Sequence, residues 1–233
     1  MKKMNDKIII VDDEKEIADL LELYLTNDGF SVSKAFNAKD ALDLVESENF
    51  DLMILDIMLE DMDGFSVCKK IREKHYFPII MLTSRIDSND KILGLTMGAD
   101  DYITKPFNPL EVIARVKTQL RRSQKYNKTE KIQDNETYDI RGLLIDKKSH
   151  KCFLYDKQIQ LTPIEFEIIW YLCKNQGKVV SSEELFENIW KEKYLDNNNT
   201  VMAHIGRIRD KMNDSGRNPK FIKTVWGVGY EIE

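Results

Sequence analysis

The sequence has few of the features that mark secreted, metal-stapled or membrane-spanning proteins. Its three cysteines, Cys68, Cys152 and Cys173, form no CxxC pair, which argues against a disulfide framework or a cysteine zinc site and is typical of a reducing compartment. No apolar run approaches the roughly 20 residues of a membrane helix. The start, MKKMNDKIIIVDDE, lacks the cleavage site of a secretory signal. These absences predict a cytoplasmic protein with no membrane partner.

The chain also lacks an excess of positive charge, since its net charge is −5. The charges are unevenly distributed, however. Residues 1–122 carry 17 basic and 23 acidic side chains, whereas residues 199–223 carry six basic and two acidic ones. A nucleic-acid-binding protein needs only a basic face. A solvated surface would have the same composition, so charge alone leaves both interpretations open.

Short apolar runs alternate with amphipathic segments in the first half of the chain. The runs at 8–11, 52–55 and 79–82 are typical of strands buried on both faces, and 31–36 and 101–104 are weaker strand candidates. Helical periodicity appears from Ile17 to Leu25 and indicates further helices at 38–48, 64–73, 88–97 and 108–121. Strands that each precede a helix predict an α/β fold with a doubly wound, five-stranded parallel sheet.

A polar stretch at 123–138 contains almost no large aliphatic side chains and predicts a linker. It separates a domain at 1–122 from one at 139–233. In the second domain the patterns indicate strands at 143–146, 151–155 and 157–161, then helices near 163–175, 181–191 and 199–213. An alternating hairpin around Gly227 closes the chain. This order predicts an α+β winged helix-turn-helix.

Polar side chains follow the predicted strands of the first domain. They are Asp12 and Asp13 after the first strand, Asp56 after the third, Thr83 after the fourth and Lys105 after the fifth. Because the carboxyl ends of parallel strands share one edge of a sheet, these groups should lie together. Three carboxylates suit Mg²⁺. A carboxylate nucleophile beside a cation, a hydroxyl and an ammonium suits phosphoryl transfer. Each motif alone could be a turn or a helix cap, but together they predict a phosphoacceptor.

The residue two positions after Asp56 tests the alternative of a phosphatase. A haloacid-dehalogenase-type enzyme needs a second acid there to protonate the leaving group, and this chain has Met58. The sequence therefore predicts no enzyme, but a phosphoacceptor with self-phosphotransfer and slow autodephosphorylation. The leading hypothesis is a transcription factor whose binding to DNA is controlled by phosphorylation of Asp56. Two hypotheses compete with it. One is a phosphotransfer enzyme whose second domain binds protein, and the other is a protein whose DNA binding is independent of Asp56.

The segments IIIVDDE, LMILDIMLEDMDG, PIIMLTS and GADDYITKPF resemble the receiver domain of bacterial response regulators throughout 5–122. The resemblance implies that a sensor histidine kinase phosphorylates Asp56. It implies that Mg²⁺ is held by Asp12, Asp13, Asp56 and the backbone carbonyl of Met58. It further implies phosphoryl contacts from Thr83 and Lys105, a cis Lys105–Pro106 bond, Tyr102 as an aromatic switch, and a phosphoryl lifetime set by Met58 and Arg85.

Around Tyr102, the charged residues are similar to those of the OmpR/PhoB subfamily, whose members form homodimers on phosphorylation. The resemblance implies cross-subunit ion pairs of Lys91 with Glu111, Asp101 with Arg115, and Asp100 with Arg122. They would flank an apolar patch of Ile92, Leu95 and Ala114. The alternative is an ordinary solvated surface, on which such pairs contribute little.

Apolar residues at helical spacing divide segment 199–213 into two faces. Val201, Ile205, Ile208 and Met212 should pack inward, leaving Asn199, Ala203, Gly206, Arg207 and Asp210 for the major groove of double-stranded DNA. Asn199 and Arg207 are the predicted base contacts, and Gly206 either allows close approach to DNA or is an unimportant surface glycine.

LTPIEF and TVWGVGYEI resemble the DNA-binding domain of the OmpR/PhoB family, in which the loop at 192–198 can face RNA polymerase. Trp226 stands where the family often has arginine, and either contacts the DNA backbone or is a buried hairpin residue. The full predicted DNA-binding set is Asn199, Thr200, Ala203, Gly206, Arg207, Arg209, Lys211, Lys220, Lys223, Thr224 and Trp226.

Overall fold

The computed structural model describes residues 6–84, 98–125, 137–191, 194 and 200–233. The chain divides into two compact units, Met1–Ser123 and Gln124–Glu233. The helix predicted at 88–97 lies outside the described residues. Among the helices that are described, none is both long and apolar enough to span a membrane.

The first unit is built on five parallel strands. They are β1 (Lys7–Val11), β2 (Ser31–Ala35), β3 (Leu52–Asp56), β4 (Ile79–Thr83) and β5 (Asp101–Thr104), in the order β2-β1-β3-β4-β5. The described helices are α1 (Lys15–Asn27), α2 (Ala38–Ser47), α3 (Gly64–Arg72) and α4 (Pro109–Lys125). The predicted doubly wound parallel sheet is confirmed.

The apolar runs form the strands because the sheet is covered on both faces. Alternate residues of β1 enter different cores: Ile9 and Val11 join one cluster, and Ile8 and Ile10 join the other. All five residues of β3 and of β4 are buried. Strand β2 lies on one side of β1 and β3 lies on the other, so the strand order reverses at β1. This reversal places a crevice at the carboxyl ends of β1 and β3.

The second unit begins with an antiparallel sheet of β6 (Thr137–Ile140), β7 (Leu143–Asp146), β8 (Lys151–Leu154) and β9 (Lys157–Ile159). Next come α5 (Pro163–Lys174), β10 (Val180–Ser181), α6 (Ser182–Trp190) and α7 (Thr200–Met212). The hairpin strands β11 (Ile222–Val225) and β12 (Gly229–Ile232) pair with β10 to form a three-stranded sheet. This is the predicted winged helix-turn-helix.

The ends of the predicted linker differ from the expectation. Helix α4 continues to Lys125, and β6 begins at Thr137, so both ends of the polar segment 123–138 adopt regular structure. Strand β6 contains only two apolar residues, Tyr138 and Ile140, and owes its conformation to pairing with β7. Residues 126–136 lie outside the described residues.

Candidate phosphorylation site and nucleic-acid interface

The sheet brings the predicted phosphoacceptor residues of the first unit to one edge. Asp12 follows β1, Asp56 ends β3, Thr83 ends β4, and Lys105 follows β5. These four strands are consecutive neighbours in the sheet. Asp12, Asp56 and Thr83 are buried, and Asp13 is partly exposed at the mouth.

Lys105 connects the acidic groups. Its Nζ lies 3.0 Å from Oδ2 of Asp12, 3.0 Å from Oδ2 of Asp56 and 3.1 Å from Oε1 of Glu14. The Lys105–Pro106 peptide is cis, as expected. Glu14 was not among the predicted site residues. It could have been found as the third acid of the run DDE, but nothing in the sequence showed that it would reach Lys105.

Burial makes the carboxylates costly to ionise. It raises the pKa of Asp12 to about 6, with a further contribution from the negative charge of Asp56, although Lys105 opposes the shift. Burial also raises the pKa of Asp56, against hydrogen bonds from Lys105 and from the backbone of Met58. Although burial opposes its charge, hydrogen bonds to both carboxylates raise the pKa of Lys105. One ammonium is therefore too little positive charge for this site.

The acidic groups are arranged to bind a cation. One oxygen from each of Asp12, Asp13 and Asp56 lies within 4.8 Å of the others. An oxygen-only ligand set suits a hard divalent ion, and three carboxylates with one ammonium leave a formal charge of −2 to be balanced. Both the ligand chemistry and the charge therefore fit Mg²⁺.

Two further contacts shape the entrance to the pocket. The Ser84 hydroxyl lies 3.3 Å from Sδ of Met58, whose side chain is 55% exposed beside Asp56. A Cβ built on Gly64 would lie 2.2 Å from the carbonyl oxygen of Asp56. Only glycine therefore lets α3 start so close to the backbone of Asp56. No sequence pattern marks Ser84 or Gly64, because their roles depend on contacts between separate loops.

Tyr102, the predicted switch, lies on β5 beside Met81 of β4. Its ring packs against the core cluster that contains Met81, and its hydroxyl oxygen is shielded from solvent. In this structure the Tyr102 side chain is therefore directed inward.

The predicted dimerisation face contains ion pairs that close within one chain. Nη1 of Arg115 lies 3.2 Å from Asp101, and Nη2 lies 3.0 Å from Glu111. Ala114 is exposed and Arg122 is partly exposed. The other members of the predicted face, Lys91, Ile92 and Leu95, lie outside the described residues.

Asp100 differs from its predicted place on that face. It is fully buried, and its Oδ2 accepts hydrogen bonds from Nη2 of Arg72 at 2.7 Å and from the amide of Ile79 at 2.9 Å. The guanidinium of Arg72 also donates to the carbonyls of Gly98 and Phe77, at 2.8 Å each. This carboxylate therefore connects the first residue of β4 to the segment that immediately precedes β5. As placed here, it cannot meet Arg122 of a second chain.

In the second unit, aromatic rings pack α6 against α7. Phe186 and Trp190 of α6 stack with centroids 5.0 Å apart, and Trp190 lies 5.4 Å from the ring of His204 on α7. Val201 and Ile205 of α7 are buried in the same core. Helix α7 thus occupies the position of the second helix of a helix-turn-helix, which in proteins of that class is the helix that enters the major groove.

The faces of α7 differ in part from the prediction. Thr200 and Ala203, predicted to face DNA, are buried, whereas Met202, which was not predicted, is 51% exposed. Gly206 is partly exposed, and a Cβ built there would meet nothing within 4 Å. Asn199 lies outside the described residues. Exposure of Met202 could have been found from its position four residues before Gly206, on the same face.

The basic side chains of α7 are held inside the domain. Nζ of Lys211 lies 2.6 Å from Oε2 of Glu165, and Nε of Arg207 lies 3.7 Å from its Oε1. The Arg207 side chain is only 11% exposed and also contacts the ring of His204. Although burial opposes ionisation, Arg207 and Lys211 lower the pKa of Glu165. In this arrangement Arg207 secures α7 to α5 instead of projecting as a predicted base contact.

Arg209 joins α7 to the wing, the hairpin of β11 and β12. Its Nη2 donates to the Ile222 carbonyl at 2.6 Å and to the Thr224 hydroxyl at 2.8 Å. The carboxylate of Asp214 accepts the amides of Lys220, at 2.6 Å, and of Ile222, at 3.1 Å. Arg209 and Thr224 thus fix the wing, whereas sequence analysis had predicted that they contact DNA.

The wing presents its turn to solvent. Trp226 is 89% exposed, so the alternative of a buried hairpin residue is wrong. The turn residue Gly227 has φ +74°, a conformation that favours glycine. Lys223 forms an ion pair with Glu233, and Lys220 is exposed. An exposed indole and an exposed ammonium therefore lie on or beside the wing.

Comparison with known proteins gives the same division. Residues 8–117 match the family described as response regulator receiver domain, and residues 156–232 match the family described as transcriptional regulatory protein, C terminal. The pocket and the winged helix thus belong to a transcriptional response regulator, one that joins a receiver to a DNA-binding domain.

More specifically, the chain belongs to the OmpR/PhoB family. It is 58% identical over 230 residues to regulatory protein VanRc of Enterococcus gallinarum, covering 99% of this chain and 100% of that protein. It is 55% identical over 231 residues to regulatory protein VanR of Enterococcus faecium, with the same coverage. The crystal structure of DrrB, an OmpR/PhoB homologue from Thermotoga maritima, is 36% identical, with a TM-score of 0.51 over 98% of this chain and 99% of that one.

Proposed function

We propose that this regulator is activated by phosphorylation of Asp56 and then binds promoter DNA as a homodimer. The observation that carries the proposal is the pocket itself, in which one ammonium lies 3.0 Å from each of two buried carboxylates. The protein acts as a phosphoacceptor with slow autodephosphorylation, and it works in the cytoplasm with no membrane partner.

Asp12, Asp13, Asp56 and the carbonyl of Met58 would hold Mg²⁺ as the cofactor of this reaction. When bound, Mg²⁺ would supply positive charge for the phosphoryl oxygens. The Asp56 carboxylate attacks the phosphorus of a phosphohistidine on the kinase. A P–O bond forms as the P–N bond breaks, and the imidazole leaves with the bonding electrons. Lys105 then pairs with a phosphoryl oxygen, and the Thr83 hydroxyl donates a hydrogen bond to another.

The entrance to the pocket supports a long-lived phosphoryl group. Met58 stands beside Asp56, in contact with the Ser84 hydroxyl. Its bulk hinders a water molecule that attacks in line with the P–O bond. A half-life of only seconds for the purified phosphoprotein would contradict this part of the proposal.

Thr83 and Tyr102 would carry the signal to the dimerisation face of Lys91, Asp101, Glu111 and Arg115. Because Arg115 already holds Asp101 and Glu111 within its own chain, dimerisation would replace these pairs with cross-subunit pairs of Arg115 with Asp101 and of Lys91 with Glu111. Two variants test the exchange, Arg115→Glu and Asp101→Arg. Each alone places like charges across a homodimer. An equimolar mixture restores two favourable pairs, so after phosphorylation only the mixture should dimerise on size-exclusion chromatography.

Sites on the second domain would then contact promoter DNA and RNA polymerase. Helix α7 enters the major groove, and Trp226 packs against the sugar-phosphate backbone in place of the family's arginine. Lys220 contacts phosphate. Arg207, Arg209 and Lys211 position the reading elements in the free protein. The loop at 192–198, largely outside the described residues, is proposed to face RNA polymerase.

The identities of 55–58% to the two enterococcal VanR proteins support a related target. We propose a VanS-like sensor histidine kinase as the partner, and activation of vancomycin-resistance genes for altered cell-wall precursors as the output. An adjacent sensor kinase gene and D-alanyl ligase-type genes would support this assignment. A neighbourhood that serves another cell-envelope stress would replace it.

DNase I footprinting of the upstream promoter tests the core of the proposal. Wild type and Asp56→Asn are compared with and without acetyl phosphate, in the presence of Mg²⁺. Acetyl phosphate should extend and strengthen the wild-type footprint and leave that of Asp56→Asn unchanged. Equal footprints in all four conditions would refute phosphorylation control.

A further inference from the structure

Met202 is an exposed apolar side chain on the DNA-reading helix. The other large apolar residues of α7, namely Val201, Ile205, Ile208 and Met212, are buried, whereas Met202 is 51% exposed. It belongs to no core cluster of its unit. Internal packing therefore does not account for an apolar residue at this position.

The surface next to Met202 is open and uncharged. Gly206 lies one turn further along the same face and leaves the space above its Cα empty. The intervening Ala203 is buried, and Arg207 is held by Glu165 and His204. Between residues 200 and 206, the described outward surface of α7 therefore consists of the Met202 side chain next to the empty space at Gly206.

We propose that Met202 contacts the C5-methyl group of a thymine in the major groove. Thymine is the only standard base that presents a methyl group there, and apolar side chains are its usual partners. The unbranched, polarizable side chain of methionine adapts well to such a contact. The gap at Gly206 lets the helix approach the base edges, so Met202 contributes to sequence specificity and does not merely position the domain. The inference rests on major-groove binding by α7.

Uracil substitution tests the contact, because uracil differs from thymine only by lacking this methyl group. The probe is a duplex selected by the wild-type protein from a random pool, with each thymine replaced in turn. Affinity is measured by fluorescence anisotropy with full-length protein treated with acetyl phosphate and Mg²⁺. Replacing the contacted thymine in one half-site should weaken wild-type binding about four-fold, the effect of removing one buried methyl group, and replacing it in both half-sites should weaken binding about 15-fold.

The decisive comparison uses Met202→Ala on the same probes. Because it removes the contact from both protomers of the homodimer, this variant should bind the thymine probe at least as weakly as wild type binds the probe with uracil in both half-sites. It should be insensitive to uracil at that position. Met202→Leu keeps an apolar side chain and should retain the sensitivity. Leu144→Ala, at an exposed apolar residue of β7, serves as the matched control and should behave as wild type.

Three results would overturn the proposal. In the first, no thymine replacement lowers the affinity of the wild type. In the second, Met202→Ala is weakened by uracil as much as the wild type is. In the third, Leu144→Ala is no longer weakened by uracil. Failure of wild type to select any duplex would instead count against groove binding by α7. Unfolding curves followed by tryptophan emission show whether each variant is folded, since Met202 is exposed and its replacement should leave stability nearly unchanged.

Discussion

Replacing Gly206 with alanine should stabilise the DNA-binding domain and weaken its binding to DNA. Gly206 lies at the middle of α7, and a Cβ there meets no atom of the protein within 4 Å. Alanine is more favourable than glycine in a helix interior by about 1 kcal/mol. The equilibrium constant for unfolding should therefore fall about five-fold. For a domain of this size the thermal midpoint should rise by about 4–8 °C.

The opposite change is expected for DNA. If base edges approach the gap at Gly206, the new methyl group must be accommodated against them, and overpacking of this kind costs about 1–3 kcal/mol. We therefore expect a loss of affinity of about ten-fold. Unfolding of the full-length protein is followed by tryptophan emission, since Trp170, Trp190 and Trp226 all lie in the second unit. Binding is followed by fluorescence anisotropy.

A second variant separates the effect of helix stability from that of shape. Asp210→Ala also introduces alanine on the exposed side of α7, and it removes a negative charge. It should stabilise the domain and tighten DNA binding. If Gly206→Ala binds as tightly as wild type, close approach at this position is wrong. If it is less stable than wild type, the open space above Gly206 is wrong.

Three further predictions concern buried ionic groups. Lys105→Ala should raise Mg²⁺ affinity in calorimetric titrations, because no ammonium then competes with the cation at 3.0 Å from Asp12. In the same variant, acetyl phosphate should no longer strengthen DNA binding. An unchanged Mg²⁺ affinity would contradict the first expectation. Arg72→Ala leaves Asp100 buried without its cation and should destabilise the receiver by about 3–5 kcal/mol in thermal unfolding followed by circular dichroism, whereas the double variant with Asp100→Asn should be less damaged. Burial lowers the pKa of His150 to about 4 in the folded protein. As pH falls from about 6.5 towards 4, the unfolded chain therefore binds a proton that the folded protein does not, and stability is lost over this range. His150→Gln should flatten this dependence of stability on pH in unfolding followed by tryptophan emission.

The sheet of the receiver could be predicted because its three central strands, β1, β3 and β4, each carry their own signal. Runs such as IIIV and IIML are apolar on both faces, and only a covered parallel sheet buries both. Strand β6 gave no such signal. Its sequence, TYDI, alternates weakly and follows a polar segment, and its conformation depends on pairing with β7. Local pattern is informative where burial is local, and fails where a neighbouring strand determines the structure.

The same distinction separates the two sites. The grouping of Asp12, Asp56 and Lys105 followed from sequence because these residues sit at strand ends, and parallel topology brings strand ends together. The faces of α7 did not follow, because Arg207 is directed inward by Glu165, 42 residues earlier. Glu165 also closes a capping box with Thr162 at the start of α5, and this is the role that its sequence pattern indicates. Its second role depends on tertiary contacts.

Buried carboxylates serve opposite purposes in the two domains, and the balance of charge shows which one can respond to a signal. Glu165 has two cations for one negative charge, and despite complete burial its pKa is lowered. The negative charge of Glu165 is therefore fully neutralised, and its contacts with Arg207 and Lys211 hold α7 in one position against α5. Among the described residues, the three carboxylates of the receiver pocket have Lys105 as their one nearby cation, which also contacts Glu14, and the pKa of Asp12 is raised to about 6. A deficit of two positive charges favours binding of a divalent cation, and in the proposed mechanism such a cation would prepare the site for a phosphoryl group. In the proposed mechanism, incomplete neutralisation around Asp56 is therefore the physical property that would make the receiver, and not the DNA-binding domain, the input of the regulator.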